Sequence, residues 1–108
     1  MRHARAIEKL SRALRSRYGR QIRDILVFGS VARGTDTAAS DIDVLVIFSS
    51  DAGPVGWRLE RAVRDIAFPV ELEEDVVFDL KAVAEDDLQG LRGHTPFMER
   101  VTREGVAV

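Results

Sequence analysis

Apolar residues recur along this chain with two different periods, and the switches between them mark out its elements. Ile7, Leu10, Leu14 and Tyr18, flanked by Ala6 and Ala13, are spaced by threes and fours, which predicts an amphipathic helix over residues 3–18 with Gly19 as its stop. Ile22 to Phe28 is a β-branched and apolar run and predicts a buried strand that ends at Gly29. One turn of helix over 30–33 and a loop of small and polar residues from Gly34 to Ser40 lead to a second strand over 41–48. Its period of two places Ile42, Val44, Val46 and Phe48 on one face, and Asp41, Asp43, Leu45 and Ile47 on the other.

Ser49 to Gly56, with Gly53-Pro54 inside it, reads as a loop. A second amphipathic helix is predicted from Trp57 to Phe68, burying Leu59, Val63, Ile66 and Ala67, with Pro69 ending it. Val76 to Val83 predicts a third strand and Asp86 to Leu91 a short helix. A loop over 90–96 then leads to a last short helix around Phe97 and Val101 and a tail at Glu104-Gly105. This order predicts an α/β fold of the α+β kind, with helices packed on a small mixed sheet. A length of 108 residues favours one domain over 1–108 and leaves no room for a second, substrate-gripping one.

Composition narrows the function classes. The chain has no cysteine, which excludes disulfides, thiolate catalysis and sulfur-ligated zinc and fits a reducing cytoplasm. The longest apolar run, Val44 to Phe48, is far too short to cross a bilayer, and the basic, interrupted N-terminal segment does not resemble a signal peptide. A soluble cytoplasmic protein is expected. Charge is unevenly placed: the first 23 residues hold eight basic side chains and one acid, Glu8, and the remainder eight basic and seventeen acidic ones. Such a segment suits either an acidic partner or a solvated helix face that offsets an acidic body. With only Tyr18 beside it, direct nucleic-acid binding is not expected.

The candidate chemistry lies in Phe28-Gly29-Ser30-Val31-Ala32-Arg33-Gly34 and Ser40-Asp41-Ile42-Asp43-Val44-Leu45-Val46. Carboxylates at i and i+2 of a strand share a face, with Cα atoms roughly 6.5–7 Å apart, and can converge on hard cations. Taken alone, Asp-x-Asp is more often a solvated pair at a strand start, and Gly-Ser more often an ordinary capped turn. Together they differ: glycine lets the backbone approach an anion, a helix start offers free N–H groups, and paired carboxylates follow on the next strand. One half suits phosphate and the other the metal that accompanies phosphate.

These two motifs resemble the signature of the DNA polymerase beta-type nucleotidyltransferase superfamily, and most of all its minimal nucleotidyltransferases (MNT), over nearly the whole chain. The resemblance implies a polymerase beta palm-like fold and the use of ATP or another NTP. It further implies two magnesium ions and transfer of a nucleoside monophosphate with release of pyrophosphate. On the family pattern Gly29 and Ser30 hold the β- and γ-phosphates, while Asp41 and Asp43 bind the metals. Arg33 either reaches phosphate or anchors its loop through an internal ion pair. Many such proteins act as the antitoxin of a helical HEPN toxin by adding AMP to it, which makes a HEPN-type protein hydroxyl the implied acceptor and a homo- or hetero-oligomer the implied assembly. Neutralisation by contact alone, and transfer to a small molecule or an RNA end, are the alternatives.

The family adds a third carboxylate, ligand to the catalytic metal and base for the attacking hydroxyl. Asp79, inside the apolar run Val77-Phe78-Asp79-Leu80, is the candidate. Asp75 shares its parity but lies roughly 13 Å back along the strand, so only one of the two can reach the site. Glu71 and Glu73 are expected to be solvated acids before the strand, and Lys81 to point away from the site. Trp57 is expected to pack rather than stack on a base, and His3 and His94 to lie at the surface. No P-loop sequence is present.

Overall fold

The computed structural model describes residues 3–35, 37, 41–88 and 95–108. Helix α1 spans Ala4–Tyr18, strand β1 Ile22–Phe28, helix α2 Gly29–Arg33 and strand β2 Ile42–Phe48. Helix α3 runs Trp57–Glu74, strand β3 Phe78–Ala84, helices α4 and α5 Glu85–Leu88 and Pro96–Glu104, and strand β4 Val106–Ala107. The sheet has the order β3-β2-β1-β4, with β1 antiparallel to β2 and β4 and with β2 parallel to β3. It is the mixed sheet that the pattern of elements predicts.

Residue parity decides what lies on each side. Ile42, Val44, Val46 and Phe48 of β2 and Phe78, Leu80 and Ala82 of β3 are buried in one core with Ile7, Leu10 and Leu14 of α1 and Val63, Ala67 and Val70 of α3. The opposite face carries a smaller cluster in which Leu45 and Ile47 meet Phe28, Met98 and Val101. A bulge between Ile22 and Asp24 lets Ile22, Ile25 and Val27 all face the main core, although Ile22 and Ile25 differ in parity. Two layers of unequal depth result. Among the described residues, α1 and α3 cover one face, and α5 with Leu88 of α4 packs on the other.

Pro69 does not end α3, contrary to expectation; it lies inside the helix, which continues to Glu74. The proline is exposed, so water can take the carbonyl that its missing N–H releases. Val70, one residue on, is buried in the core, and continued packing outweighs the lost bond. Glu71, Glu73 and Glu74 crowd the negative end of the helix dipole, an unfavourable place for acids. Cations from α1 offset them: Lys9 Nζ lies 3.1 Å from Glu73 and 3.2 Å from Glu74, and Arg5 Nε 3.3 Å from Glu74. The two acids hold the Lys9 ammonium above its ordinary pKa, the hydrogen bond to Glu73 foremost. Part of the basic bias of the N-terminal segment is thereby spent within the chain. Arg12 pairs with Glu8, Arg23 with Glu85, and Arg15 donates to the Val108 carbonyl.

The third strand begins at Phe78 rather than Val76, and Asp75 ends α3 in the left-handed region at φ 53°. Asp75 is therefore not on the strand and does not share the strand face of Asp79. Glu71 is not a free surface acid either: its carboxylate accepts the Phe78 N–H at 2.8 Å, satisfying a donor on the outer edge of the sheet. A left-handed cap suits glycine best. Asp75→Gly is expected to raise stability by about 0.5–1 kcal/mol, read as a higher urea midpoint, with nucleotide binding unchanged.

The C-terminal tail also departs from expectation, since Val106 and Ala107 pair with Val27 and Leu26 as the second edge strand. Of the predicted helix over 86–91 and loop over 90–96, residues 89–94, with His94 among them, lie outside the described residues. No helix among the described residues is long and apolar enough to cross a membrane.

Candidate active site

The parallel pairing of β2 with β3 places Asp43 directly opposite Asp79. Paired Cα atoms on adjacent strands stand about 4.8 Å apart, so two carboxylates share one spot on the face opposite the main core. Asp41 immediately precedes β2 and is exposed, while Asp43 is partly buried. Burial pushes the Asp43 carboxyl above the ordinary value of 3.8, the charge of its neighbour Asp79 pushes it the same way, and Asp41 adds a smaller push. The Lys81 ammonium opposes them. Asp79 and Asp41 thus both act on Asp43 as like charges.

Gly29 stands against this cluster. It takes φ 72°, a conformation that disfavours any side chain, and a Cβ built on it would overlap Asp43 Oδ2. The Gly29 turn and the acid pair are therefore in contact across β1 and β2, where Phe28 pairs with Asp43. Helix α2 is a single turn closed by Gly34, whose N–H donates to the Ser30 and Val31 carbonyls, and Thr35 donates to Ser30 O at 3.0 Å. Phe28, not Ser30, is its N-cap, so the serine is not a capping residue. Ser40 lies outside the described residues.

Arg33 anchors rather than reaching into the cluster: its guanidinium lies 3.1 Å from Glu104 of α5. Lys81 overturns its expectation. Two residues beyond Asp79 on a strand, it shares that residue's face, as a period of two requires. Its ammonium lies 3.5 Å from both Asp79 carboxylate oxygens and 5.5 Å from the centre of the Phe97 ring. Phe97 in turn meets Phe28 edge-on at 5.6 Å. Parity alone would have found Lys81, whereas nothing local marks Phe97 or Glu104 as neighbours of the site. Trp57 is exposed rather than packed, beneath the Arg58 guanidinium, and His3 is half-buried at the start of α1.

A cavity of about 540 Å³ opens beside Asp79 and Lys81, with Arg64 and Glu60 of α3 on one side and Thr95 and Phe97 on the other. An all-carboxylate donor set fits a hard, oxygen-preferring divalent cation. Among the described residues no three Asp, Glu, His or Cys side chains are already drawn together as metal ligands. The aspartates would have to close on an ion.

A family model described as a nucleotidyltransferase domain matches residues 7–97. A protein of Methanocaldococcus jannaschii named "Putative protein adenylyltransferase MJ0604" is 43% identical over 51 residues, which is 47% of this chain and 51% of the relative. The chain thus spans about half the length of the curated relative it matches. Among solved structures, one titled "Crystal structure of the toxin-antitoxin with AMP-PNP" superposes with a TM-score of 0.60 over 93% of this chain and 69% of that one. At 23% identity, that likeness speaks for the fold. The match over residues 7–97 takes in both the glycine turn and the paired acids, and the chain belongs to the nucleotidyltransferase domain family.

Proposed function

We propose that this chain, acting as one domain, is a magnesium-dependent nucleotidyltransferase that moves AMP from ATP to a hydroxyl of a partner protein. The observation that carries the reading is the contact of Gly29 with Asp43 together with the pairing of Asp43 with Asp79. It joins a turn open to anions to acids suited to a cation. Asp41, Asp43 and Asp79 would hold two magnesium ions, which supply charge neutralisation at the α-phosphate. Gly29 and Ser30 receive the β- and γ-phosphates, and Arg33 steadies α2 through Glu104. Asp79, next to the cavity, accepts the proton of the attacking hydroxyl, whose oxygen forms a bond to the α-phosphorus as the bond to the β-phosphate oxygen breaks. Positioning and charge stabilisation supply most of the rate in such transfers.

The acceptor reading draws on the relative named as a protein adenylyltransferase and on the neighbour titled as a toxin–antitoxin with a nucleotide analogue. On that reading the partner is a HEPN-type toxin and the chain its cytoplasmic antitoxin. A second reading, neutralisation by contact alone, is favoured by the apolar side chains of Phe68, Leu72 and Val77, each more than half exposed. The two separate when α-³²P-ATP, magnesium and the product of the neighbouring gene are incubated with the chain. Label on the partner that disappears in Asp41→Ala supports transfer. Full neutralisation by Asp41→Ala without label supports contact.

A further inference from the structure

Three like charges on one sheet face need a positive charge near them, and the chain provides one of its own. Lys81 Nζ is equidistant from the two Asp79 oxygens at 3.5 Å, and it also lowers the proton affinity of Asp43. The ammonium is held near the Phe97 ring, a favourable cation–π placement, and that ring is braced by Phe28. Lys81 and Asp79 both line the cavity beside the site. The Lys81 ammonium is therefore flanked on two sides, by an acid of the candidate site and by an aromatic ring of α5.

We propose that Lys81 is a built-in counter-cation of the aspartate cluster, which engages Asp79 in the free chain and makes uptake of divalent metal depend on the arrival of nucleotide. The inference rests on the metal-dependent reading above. A dication held by Asp43 and Asp79 would lie within a few ångströms of an ammonium so placed, and two like charges at that range repel. Metal alone must displace the half-exposed Lys81 ammonium from Asp79 without supplying an anion in exchange. A metal ion arriving with a triphosphate brings anionic oxygens that the ammonium can take up instead, so the nucleotide removes the penalty. Metal and nucleotide then bind with positive coupling, each raising the affinity for the other by the same factor. Lys81 is a positioning residue in this scheme, since it acts through Asp79.

Mn²⁺ binding to the full chain, followed by equilibrium dialysis against matched protein-free solutions of metal and analogue, separates the possibilities. It is measured with and without the α,β-methylene analogue of ATP, which cannot release pyrophosphate. Wild type is expected to bind Mn²⁺ weakly alone and much more tightly with the analogue. Lys81→Met should tighten binding of Mn²⁺ alone by about 3- to 10-fold and shrink the coupling to the analogue. Lys81→Arg, which keeps the charge, should behave as wild type. If Lys81→Met binds Mn²⁺ alone no better than wild type, while the analogue still promotes binding in both, the inference fails and the metal-dependent reading stands. If no chain takes up Mn²⁺ even with the analogue, both fail.

Discussion

Asp43→Asn is expected to abolish nucleotidyl transfer while leaving the metal-free fold at least as stable as wild type. Both halves come from one physical cause. Asp43 is a partly buried carboxylate paired with another on the adjacent strand, so its charged form is disfavoured until a cation neutralises the pair. Removing that charge removes ligand strength from the proposed metals, and activity should fall by on the order of 10³-fold, comparable to losing about 4 kcal/mol of transition-state stabilisation. In chelator the same change removes repulsion, and the melting temperature should rise by about 2–5 °C, on the scale where roughly 1 kcal/mol moves a small domain by 4–8 °C.

The pH dependence fixes the sign. The folded pKa of Asp43 is raised, so the stability its protonation contributes is fully present below the unfolded value near 3.8. That contribution is lost as pH rises through the raised folded value. The advantage of Asp43→Asn over wild type should therefore be small in acid, grow as pH passes upward through that window, and level off near neutrality. A variant that melts lower than wild type in chelator at neutral pH would mean that Asp43 serves the fold through an attractive ion pair.

Gly29→Ala is expected to be as damaging to binding as the loss of an acid, by a different route. At φ 72° a methyl group costs about 1–2 kcal/mol in backbone strain, and it would occupy the space of Asp43 Oδ2. A side-chain oxygen can rotate away, so the fold should survive with a Tm lower by several degrees. The rotation takes the carboxylate out of the site, and the methyl group closes the approach to the turn. Mn²⁺ uptake and ATP-analogue binding should each fall by roughly 10-fold or more, equivalent to about 1.4 kcal/mol. The two sites are coupled, so Gly29→Ala combined with Asp43→Asn should bind little worse than the poorer single variant. Full additivity would mean that the alanine acts through the turn alone.

Much of this arrangement was legible before any coordinates, because it rests on a period of two. The faces of β2 follow from Ile42-Asp43-Val44-Leu45 alone, and the acids had to project opposite the main core. The same rule, applied to Asp79 and Lys81, places both on one face, and the expectation for Lys81 failed where it departed from that rule. Pro69 misled because an exposed helical proline has a local cost, whereas the packing of Val70 that overrides it is tertiary. Asp75 misled for the converse reason: parity can be counted along any stretch, but it has meaning only inside a strand, and the left-handed cap lies outside one. Val106-Ala107 is too short for any period to show. The pairings of Arg33 with Glu104 and of Phe97 with Lys81 join segments far apart in sequence, and no local spacing foretells them.

The glycine turn and the three aspartates are expected to surround one ligand. Mn²⁺ added with the α,β-methylene analogue of ATP broadens the NMR signals of nearby amides, and the backbone amides of residues 29–31, 41–43 and 79 are expected to vanish first, with those of α1 and the second half of α3 unaffected. Broadening centred on another face of the sheet, or spread evenly over the acidic surface, would contradict it.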